Sequence, residues 1–197
     1  MDADGVAVTF ACATRAERRV ARRAGARAEL VGLGAQNGVP EGPLVSFGLA
    51  GALRDDLAPG TVVDATRLVD VEGTVLWEGG PLGVPGAERV TMLAADSIVD
   101  DPAQRRRLHA SSGADAADLE SGALARTGRL RGVLRAISDT PSRPLNGIAA
   151  GVKDDGRYDW PALATAFVRE PRAFVRAASE AQRALRRLGE AAKGWSR

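Results

Sequence analysis

Short apolar runs alternate with polar segments along most of the chain. Such runs are typical of strands covered on both faces of a sheet. They predict strands at residues 6–10, 29–34, 44–48, 61–65, 67–71, 89–93, 114–119 and 132–137. Helices are predicted after Thr14 and over residues 101–109, 120–129, 161–170 and 171 to about 192. This order, without a repeat or linker, predicts one α/β domain over residues 1–197 with a C-terminal helical segment at 160–193.

Composition places the chain among ordinary soluble globular proteins. Hydrophobic residues make up 45% and charged residues 26% of its 197 residues, which excludes a disordered or fibrous chain. Charged side chains interrupt every apolar run, so no membrane-spanning helix is expected. The N-terminus also lacks the pattern of a signal peptide. The sequence therefore predicts a cytoplasmic protein.

The rarest residue types limit the chemistry. Cys12 is the only cysteine and His109 the only histidine. An intramolecular disulfide is impossible with one cysteine, and a zinc site or a Ser-His-Asp triad has few residues to draw on. We therefore expect no metal and no redox cofactor.

Charge and aromatic content argue against a nucleic-acid partner. The chain has 27 basic and 25 acidic residues, a net charge of +2. Only Lys153 and Lys193 are lysines, so 27 − 2 = 25 are arginines, a bias typical of a GC-rich genome. The eight aromatic residues leave little for base stacking.

Acidic residues and glycines follow four of the predicted strands. They are Glu17, the turn Gly48-Leu49-Ala50-Gly51, Leu119-Glu120 and Ser138-Asp139. In open α/β sheets, ligands bind beyond the carboxyl ends of the strands. Each feature alone is more often a turn, a helix cap or a solvated side chain. Together, in this order, they predict a binding site.

Three segments resemble the nucleoside phosphorylase and nucleosidase superfamily, which includes the 5′-methylthioadenosine/S-adenosylhomocysteine nucleosidases. Residues 45–53 and 59–63 are similar to the family's strand, Gly-x-Ala-Gly turn and Gly-Asp-Val-Val continuation. Residues 118–123 are similar to its Met-Glu-x-Ala signature, and residues 135–139 to its Arg-x-Ile-Ser-Asp. The resemblance implies a three-layer domain with a central mixed β-sheet flanked by helices, and a homo-oligomer.

Within that superfamily the chain is most similar to the hopanoid-associated phosphorylases. Residues 96–103 and the tail segments 142–145, 155–157 and 169–171 carry this similarity. It implies a substrate in hopanoid lipid biosynthesis: adenosylhopane, a triterpenoid joined to the 5′ carbon of adenosine. The products would be adenine and a ribosyl- or phosphoribosyl-hopane. A lipid substrate would bring the protein to the inner face of the membrane.

The resemblance also implies which residues perform the chemistry. Asp139 would protonate N7 of the leaving purine, with Ser138 orienting it, which needs a carboxylic acid of raised pKa. Glu120 would bind the ribose 2′- and 3′-hydroxyls and stabilise an oxocarbenium-like transition state. Glu17 would activate water.

Further residues would bind the substrate. Ile98 and Val99 fall where the family reads the adenine edge through backbone groups, and Leu119 and the turn 48–51 complete the set. No cofactor is implied, apart from phosphate as an alternative co-substrate.

The nucleophile stays open between water and phosphate. Arg15 and the N–H groups of Gly48, Leu49, Ala50 and Gly51 are candidates to bind phosphate. Glu17 as general base favours water, and its carboxylate would repel phosphate. Hydrolysis is therefore favoured over phosphorolysis.

Two features depart from the family pattern. Only residues 35–43 connect the second and third strands, where family members carry a full helix. This loss either opens the site or only removes material from the outside. Leu49 stands where many relatives have a small or hydroxylated residue, which weakens the case for a phosphate contact from this turn.

The last helix allows two interpretations. Its apolar stripe comprises Phe174, Val175, Ala178, Ala181, Leu185 and Leu188, with Arg176, Arg183, Arg186 and Arg187 elsewhere. This pattern is typical of a helix packed on a sheet and also of a basic helix on an anionic membrane. The packed helix is favoured.

Three functional hypotheses follow. The first is an enzyme acting on an adenosyl lipid, which a wide apolar 5′ pocket would favour. The second is a nucleosidase for small soluble nucleosides such as methylthioadenosine, S-adenosylhomocysteine or futalosine, which a small closed pocket would favour. The third is a non-catalytic nucleoside-binding protein. Asp139 and Glu120 argue against this third hypothesis, and the lost crossover helix favours it.

Overall fold

The computed structural model describes residues 7–145, 151, 153, 155–157 and 159–195. Within them the strands are β1 (Thr9–Cys12), β2 (Ala28–Leu30), β3 (Leu44–Ala52), β4 (Val62–Val69), β5 (Val75–Glu78), β6 (Glu88–Ala94), β7 (Ala116–Asp118) and β8 (Leu130–Asp139). The α-helices are α1 (Arg15–Arg23), α2 (Pro102–Ser112), α3 (Ser121–Ala125), α4 (Trp160–Arg169) and α5 (Pro171–Trp195).

Five of the strands close into a ring. β3 pairs with β8 and β7, β4 pairs with β8 and β6, and β6 pairs with β7. β1 and β2 extend the sheet in parallel from β3, whereas β5 pairs with β4 in the antiparallel direction. Parallel and antiparallel pairs occur together in one sheet. The predicted mixed sheet is confirmed.

Helices cover the sheet and bury its apolar side chains. On one side, Ala184 and Leu188 of α5 share a buried cluster with Phe10 and Phe47, whose ring centroids are 4.9 Å apart. In a second cluster, Leu124 of α3 is buried among apolar side chains of the strands. The predicted arrangement of helices around a central sheet is confirmed.

Helix α5 packs on the sheet through a stripe of small side chains. Its buried apolar residues are Ala177, Ala184, Leu188 and Ala192. Val175 and Ala178 were predicted to lie on this stripe, but both are exposed. Glu180 is also buried on this face, and its Oε1 accepts a 2.6 Å hydrogen bond from Arg143.

Several predicted strand boundaries were wrong. β1 begins at Thr9, which pairs with Leu44, while Val6 lies outside the described residues. The segments 61–65 and 67–71 form the single strand β4, because an irregularity in its pairing with β6 absorbs one residue between Ala65 and Arg67. The short edge strand β5 was not predicted, since only four residues form it.

The helix predicted at 120–129 is shorter. α3 ends at Ala125, and the Thr127 hydroxyl donates a 2.7 Å hydrogen bond back to the Leu124 carbonyl. Gly128 follows with φ +70°, a left-handed conformation that ends a helix and favours glycine. Local side-chain bonding and this glycine therefore stop the helix early.

The connection from β2 to β3 contains no α-helix, as predicted from its length. β2 ends at Leu30, short of the predicted strand end at residue 34, because Gly32 adopts φ 76° and a 3₁₀ turn follows at Leu33–Ala35. The Asn37 amide closes the loop with a 2.8 Å hydrogen bond to the Val31 carbonyl. The shortened connection thus runs as a compact loop over the end of the sheet.

No helix among the described residues is long and apolar enough to cross a bilayer.

Candidate active site

A cavity of about 260 Å³ lies at the carboxyl ends of β1, β3 and β8. These strands run parallel, so their carboxyl ends meet on one side of the sheet. Most of the lining is apolar, and its charged residues are Glu17, Arg105, Asp118, Glu120 and Asp139. Three carboxyl groups predicted from the sequence, those of Glu17, Glu120 and Asp139, therefore do lie in one site.

Glu17 is fixed at the start of α1 by a capping box with Thr14. The Thr14 amide donates to Glu17 Oε2 over 2.7 Å, and the Glu17 amide donates to the Thr14 hydroxyl over 3.2 Å. Its other oxygen, Oε1, accepts a 2.9 Å hydrogen bond from the Leu49 amide. The same helix start therefore aims a buried carboxylate at the cavity and ties it to the turn after β3.

Arg135 holds the acidic residues of the cavity floor together. Its Nη2 lies 2.8 Å from Asp118 Oδ2 and 3.1 Å from Glu120 Oε2, and all three side chains are buried. Ser46 Oγ accepts a 2.6 Å bond from the same nitrogen. Ser121 donates from its backbone to Asp118 over 3.0 Å and from its hydroxyl to Ser46 over 2.9 Å. Buried charges are tolerated when paired in this way.

Glu120 has an unusual protonation equilibrium. Its pKa is raised from 4.5 to about 7, chiefly by burial. The charge of Arg135 lowers this pKa, whereas the negative charges of Asp118 and Glu17 raise it further. The Gly34 amide donates to Glu120 Oε1 over 3.3 Å. The shortened β2–β3 connection therefore contributes directly to the site. Glu120 is therefore more readily protonated than an ordinary glutamate.

Asp139 ends β8 with both carboxyl oxygens occupied. The Ser138 hydroxyl bonds to Oδ1, and Nη2 of Arg105 bonds to Oδ2. Burial raises the pKa of Asp139, while the Arg105 charge and the Ser138 hydrogen bond lower it. Gly51 allows this packing, because a Cβ there would lie 3.0 Å from Asp139 Oδ2. Asp139 thus has the surroundings of a buried acid with one cationic partner.

The residues predicted to contact the substrate, including Ile98 and Val99 at the adenine edge, also line the cavity. Ile98, Val99, Leu119, Ala50 and Leu49 are all in its wall. The Val99 carbonyl accepts a 2.8 Å hydrogen bond from Arg105 Nε. The predicted position of these groups is therefore supported, and one of the backbone acceptors is already engaged by an arginine.

Two predicted ligand residues lie elsewhere. Arg15 is exposed and does not line the cavity, whereas the next two residues of α1, Ala16 and Glu17, do. Gly48 lies behind the cavity wall, against Glu17 and Arg135. Neither residue lines the cavity, so the geometry does not support the phosphate contact predicted for Arg15 or the direct substrate contact predicted for Gly48.

Sequence reasoning missed several site residues. Arg105 is buried, yet it stands in a run with Arg106 and Arg107 that reads as a solvated helix surface. Asp118 and Arg135 belong to the segments that resemble the nucleosidase superfamily, 118–123 and 135–139, but no role was assigned to them from the sequence. Their signal was available, since charged residues inside apolar strands must find a partner when buried. Nothing in the sequence distinguished Arg105 from its neighbours.

Comparisons with known proteins give a clear result for the fold. No protein-family model and no curated protein matches the sequence. A solved Helicobacter pylori 5′-methylthioadenosine/S-adenosylhomocysteine nucleosidase is similar with a TM-score of 0.58 and 15% identity, covering 93% of this chain and 97% of that one. Futalosine hydrolase from H. pylori has a TM-score of 0.56 and 15% identity, covering 93% and 97%.

A third structure extends the comparison to another organism. The 5′-methylthioadenosine/S-adenosylhomocysteine nucleosidase of Colwellia psychrerythraea, solved in complex with adenine, has a TM-score of 0.57 and 14% identity, covering 93% of this chain and 95% of that one. The chain therefore has the nucleoside phosphorylase/nucleosidase fold, as the sequence resemblance implied. At this identity the likeness concerns the fold.

Proposed function

We propose that this protein cleaves the N-glycosidic bond of a 5′-substituted adenosine and releases adenine. The observation that carries the proposal is the pair of buried carboxyl groups, Glu120 and Asp139, that line one cavity and have raised pKa values. The fold is shared with nucleosidases, one of them solved with adenine. A raised pKa makes a carboxyl group easier to protonate, and a protonated carboxyl group can donate its proton to a leaving group.

The reaction assigns one role to each carboxyl group. As the bond between C1′ and N9 breaks, its electron pair passes to the base, and Asp139 donates a proton to N7. Glu120 accepts hydrogen bonds from the ribose hydroxyls and, when ionised, stabilises the positive charge developing on the sugar. Ile98 and Val99 line the place where backbone groups would read the adenine edge.

We propose water as the nucleophile. Glu17 would accept a proton from the water molecule whose oxygen attacks C1′. Both cavity arginines, Arg105 of the wall and Arg135 beneath the floor, already have carboxylate partners. An incoming phosphate would meet the negative charges of Glu17 and Asp118 without a free cation among the described cavity residues, which disfavours phosphorolysis.

For the 5′ substituent we propose the hopane side chain of adenosylhopane. Leu145, Ala181 and Leu185 give the cavity an apolar wall suited to a hydrocarbon. Its volume of about 260 Å³ lies just below the range of about 300–1,000 Å³ usual for ligand pockets. The nucleoside would therefore fill the cavity, and the lipid would extend out of it.

The same volume favours a second candidate. A cavity of about 260 Å³ suits a small soluble nucleoside that fits inside completely. The proteins with the same fold include nucleosidases for methylthioadenosine and S-adenosylhomocysteine and a futalosine hydrolase. We keep this alternative because it needs no part of the substrate outside the protein.

A lipid substrate goes with a peripheral contact at the inner face of the membrane, and we propose α4 for that contact. Trp160 is 72%, Phe167 46% and Val168 78% exposed. No charged residue lies between Trp160 and Val168, and two exposed arginines, Arg169 and Arg172, follow on either side of the exposed Glu170. An apolar face beside cationic groups suits an anionic bilayer. Apart from this contact, we propose that the protein is cytoplasmic. We also propose that it forms a homo-oligomer, and light scattering tests the oligomeric state.

Adenine release measured by chromatography tests this function. The protein would be given adenosylhopane in detergent, methylthioadenosine, futalosine or adenosine, each with and without phosphate. We expect release from adenosylhopane without any need for phosphate. Release only from the small nucleosides would select the second candidate. Nucleoside binding without release from any substrate would leave a binding protein.

A further inference from the structure

The guanidinium of Arg105 lies within reach of two carboxylates. Its Nη2 pairs with Asp139 Oδ2 and lies 3.8 Å from Asp100 Oδ1. The side chains of Arg105 and Asp139 are buried, whereas that of Asp100 is 35% exposed. One cation therefore serves a buried acid at the end of β8 and a partly solvated acid just before α2.

The rest of Arg105 is anchored to the backbone. Nε donates to the Val99 carbonyl over 2.8 Å, and Nη1 donates to the Ala52 carbonyl over 3.2 Å. These bonds fix the plane of the guanidinium and leave Nη2 as the nitrogen between the two acids. Because Nη2 already lies 3.8 Å from Asp100 Oδ1, an approach of Asp100 is enough to change which carboxylate Arg105 serves.

Asp100 is in turn linked to the cavity wall. Its Oδ1, the oxygen that faces Arg105, accepts a 2.9 Å hydrogen bond from the Leu145 amide. Leu145 lines the cavity. A molecule that fills the cavity and displaces Leu145 would remove this bond and free Asp100 to bind Arg105 more closely.

We infer that Arg105 is a positioning residue that determines whether Asp139 holds a proton, and that Asp100 competes with Asp139 for it. This inference rests on the proposed function. In the unliganded protein the charge of Arg105 favours the carboxylate form of Asp139. When a substrate shifts the Leu145 amide away from Asp100, Asp100 closes on Arg105 and weakens its bond to Asp139, and the Asp139 carboxylate then takes up a hydrated proton from the solvent at Oδ2. That proton then passes to N7 of the base.

The electrostatics of the site agree with this exchange. The charged groups that face Asp139 are Arg105 from α2 and Asp100 from the segment before it, with the Ser138 hydroxyl from β8. Burial and the Asp100 charge raise the pKa of Asp139, and Arg105 lowers it. Moving the cation from Asp139 to Asp100 therefore favours the protonated acid.

Carboxyl ¹³C NMR of the aspartate-labelled protein tests the inference without requiring activity. The resonance of Asp139 is assigned by its loss in Asp139→Asn. We expect Arg105→Gln to raise the titration midpoint of Asp139 by about one to three pH units, because an opposite charge this close has that effect. Arg105→Lys keeps the charge and should restore a midpoint near that of the unaltered protein. Arg106→Gln, at an exposed neighbouring position, is the control and should change nothing.

Asp100→Asn supplies the independent half of the test. It should lower the Asp139 midpoint, because a negative charge and a competitor for Arg105 are both removed. The inference would be overturned if the Asp139 midpoint stayed the same in the unaltered protein, in Asp100→Asn and in Arg105→Lys, and if Arg105→Gln did not raise it. Should Arg105→Gln fail to fold, Asp100→Asn alone decides. Failure of the proposed function would show instead as no base release from the unaltered protein, whatever these midpoints are.

Discussion

Gly48 faces the carboxyl group of Glu17 with no room between them for a side chain. A Cβ added at Gly48 would lie 2.7 Å from Glu17 Cδ and 2.6 Å from Arg135 Nη1, closer than real Cβ atoms come. Neither neighbour can move easily, since Glu17 is hydrogen-bonded to two backbone amides and Arg135 to two carboxylates. The glycine of this turn is therefore required by space.

Gly48→Ala should disturb both charged neighbours at once. We expect a loss of about 1–3 kcal/mol in the free energy of unfolding, as for other overpacked buried sites, measured by urea denaturation. Gly80→Ala is the matched control, because a Cβ there meets nothing within 4 Å. It should change stability by less than about 0.5 kcal/mol. Equal effects of the two substitutions would contradict the close packing of Gly48 and Glu17.

Glu120 should make the stability of the protein depend on pH. Its pKa of about 7 in the folded state exceeds the ordinary 4.5, so the folded protein binds a proton more tightly than the unfolded chain. This contribution is fully present below pH 4.5 and is lost as the pH rises through 7, with a size of about 3 kcal/mol at most. Denaturation at pH 5 and pH 8 measures it.

Glu120→Gln is the control for that pH dependence. Glutamine keeps the shape of the side chain and does not titrate. The variant should lose less free energy of unfolding between pH 5 and pH 8 than the unaltered protein does. The same slope in both proteins would show that Glu120 is not the group responsible.

The exposed face of α4 should bind anionic vesicles if it is the membrane contact. Val168→Glu places a negative charge on that face and should reduce co-sedimentation with phosphatidylglycerol vesicles several-fold. Val71→Glu makes the same change at a position 40% exposed elsewhere on the surface, and it should leave binding unchanged. No binding of the unaltered protein at low salt would remove α4 as a membrane contact.

The sequence was most informative where local chemistry determines the structure. Thr14 and Glu17 form a capping box because their spacing alone brings each side chain to the other's backbone amide. Strand cores such as that of β8 follow from continuous apolar runs. The short β2–β3 connection followed from length, since too few residues remain for a crossover helix. The mixed sheet came from the family resemblance, not from periodicity.

Long-range pairing is what the sequence did not reveal. Arg105 and Asp139 are far apart in the chain, and only the folded structure brings the Arg105 side chain to the end of β8. The inward place of Glu180 depends in the same way on Arg143. The sequence also gave no rotation for α1, so it could not show that the Arg15 side chain lies outside the cavity lining.

Asp139 is proposed to act as an acid on a bound nucleoside. Adenine release in a single turnover, with enzyme in excess, would be compared between the unaltered protein and Asp139→Asn. We expect release by the unaltered protein and a rate about 10²–10⁴-fold lower in the variant, with nucleoside affinity retained within a few-fold. Equal rates in the two proteins, or no release from either while nucleoside still binds, would contradict it.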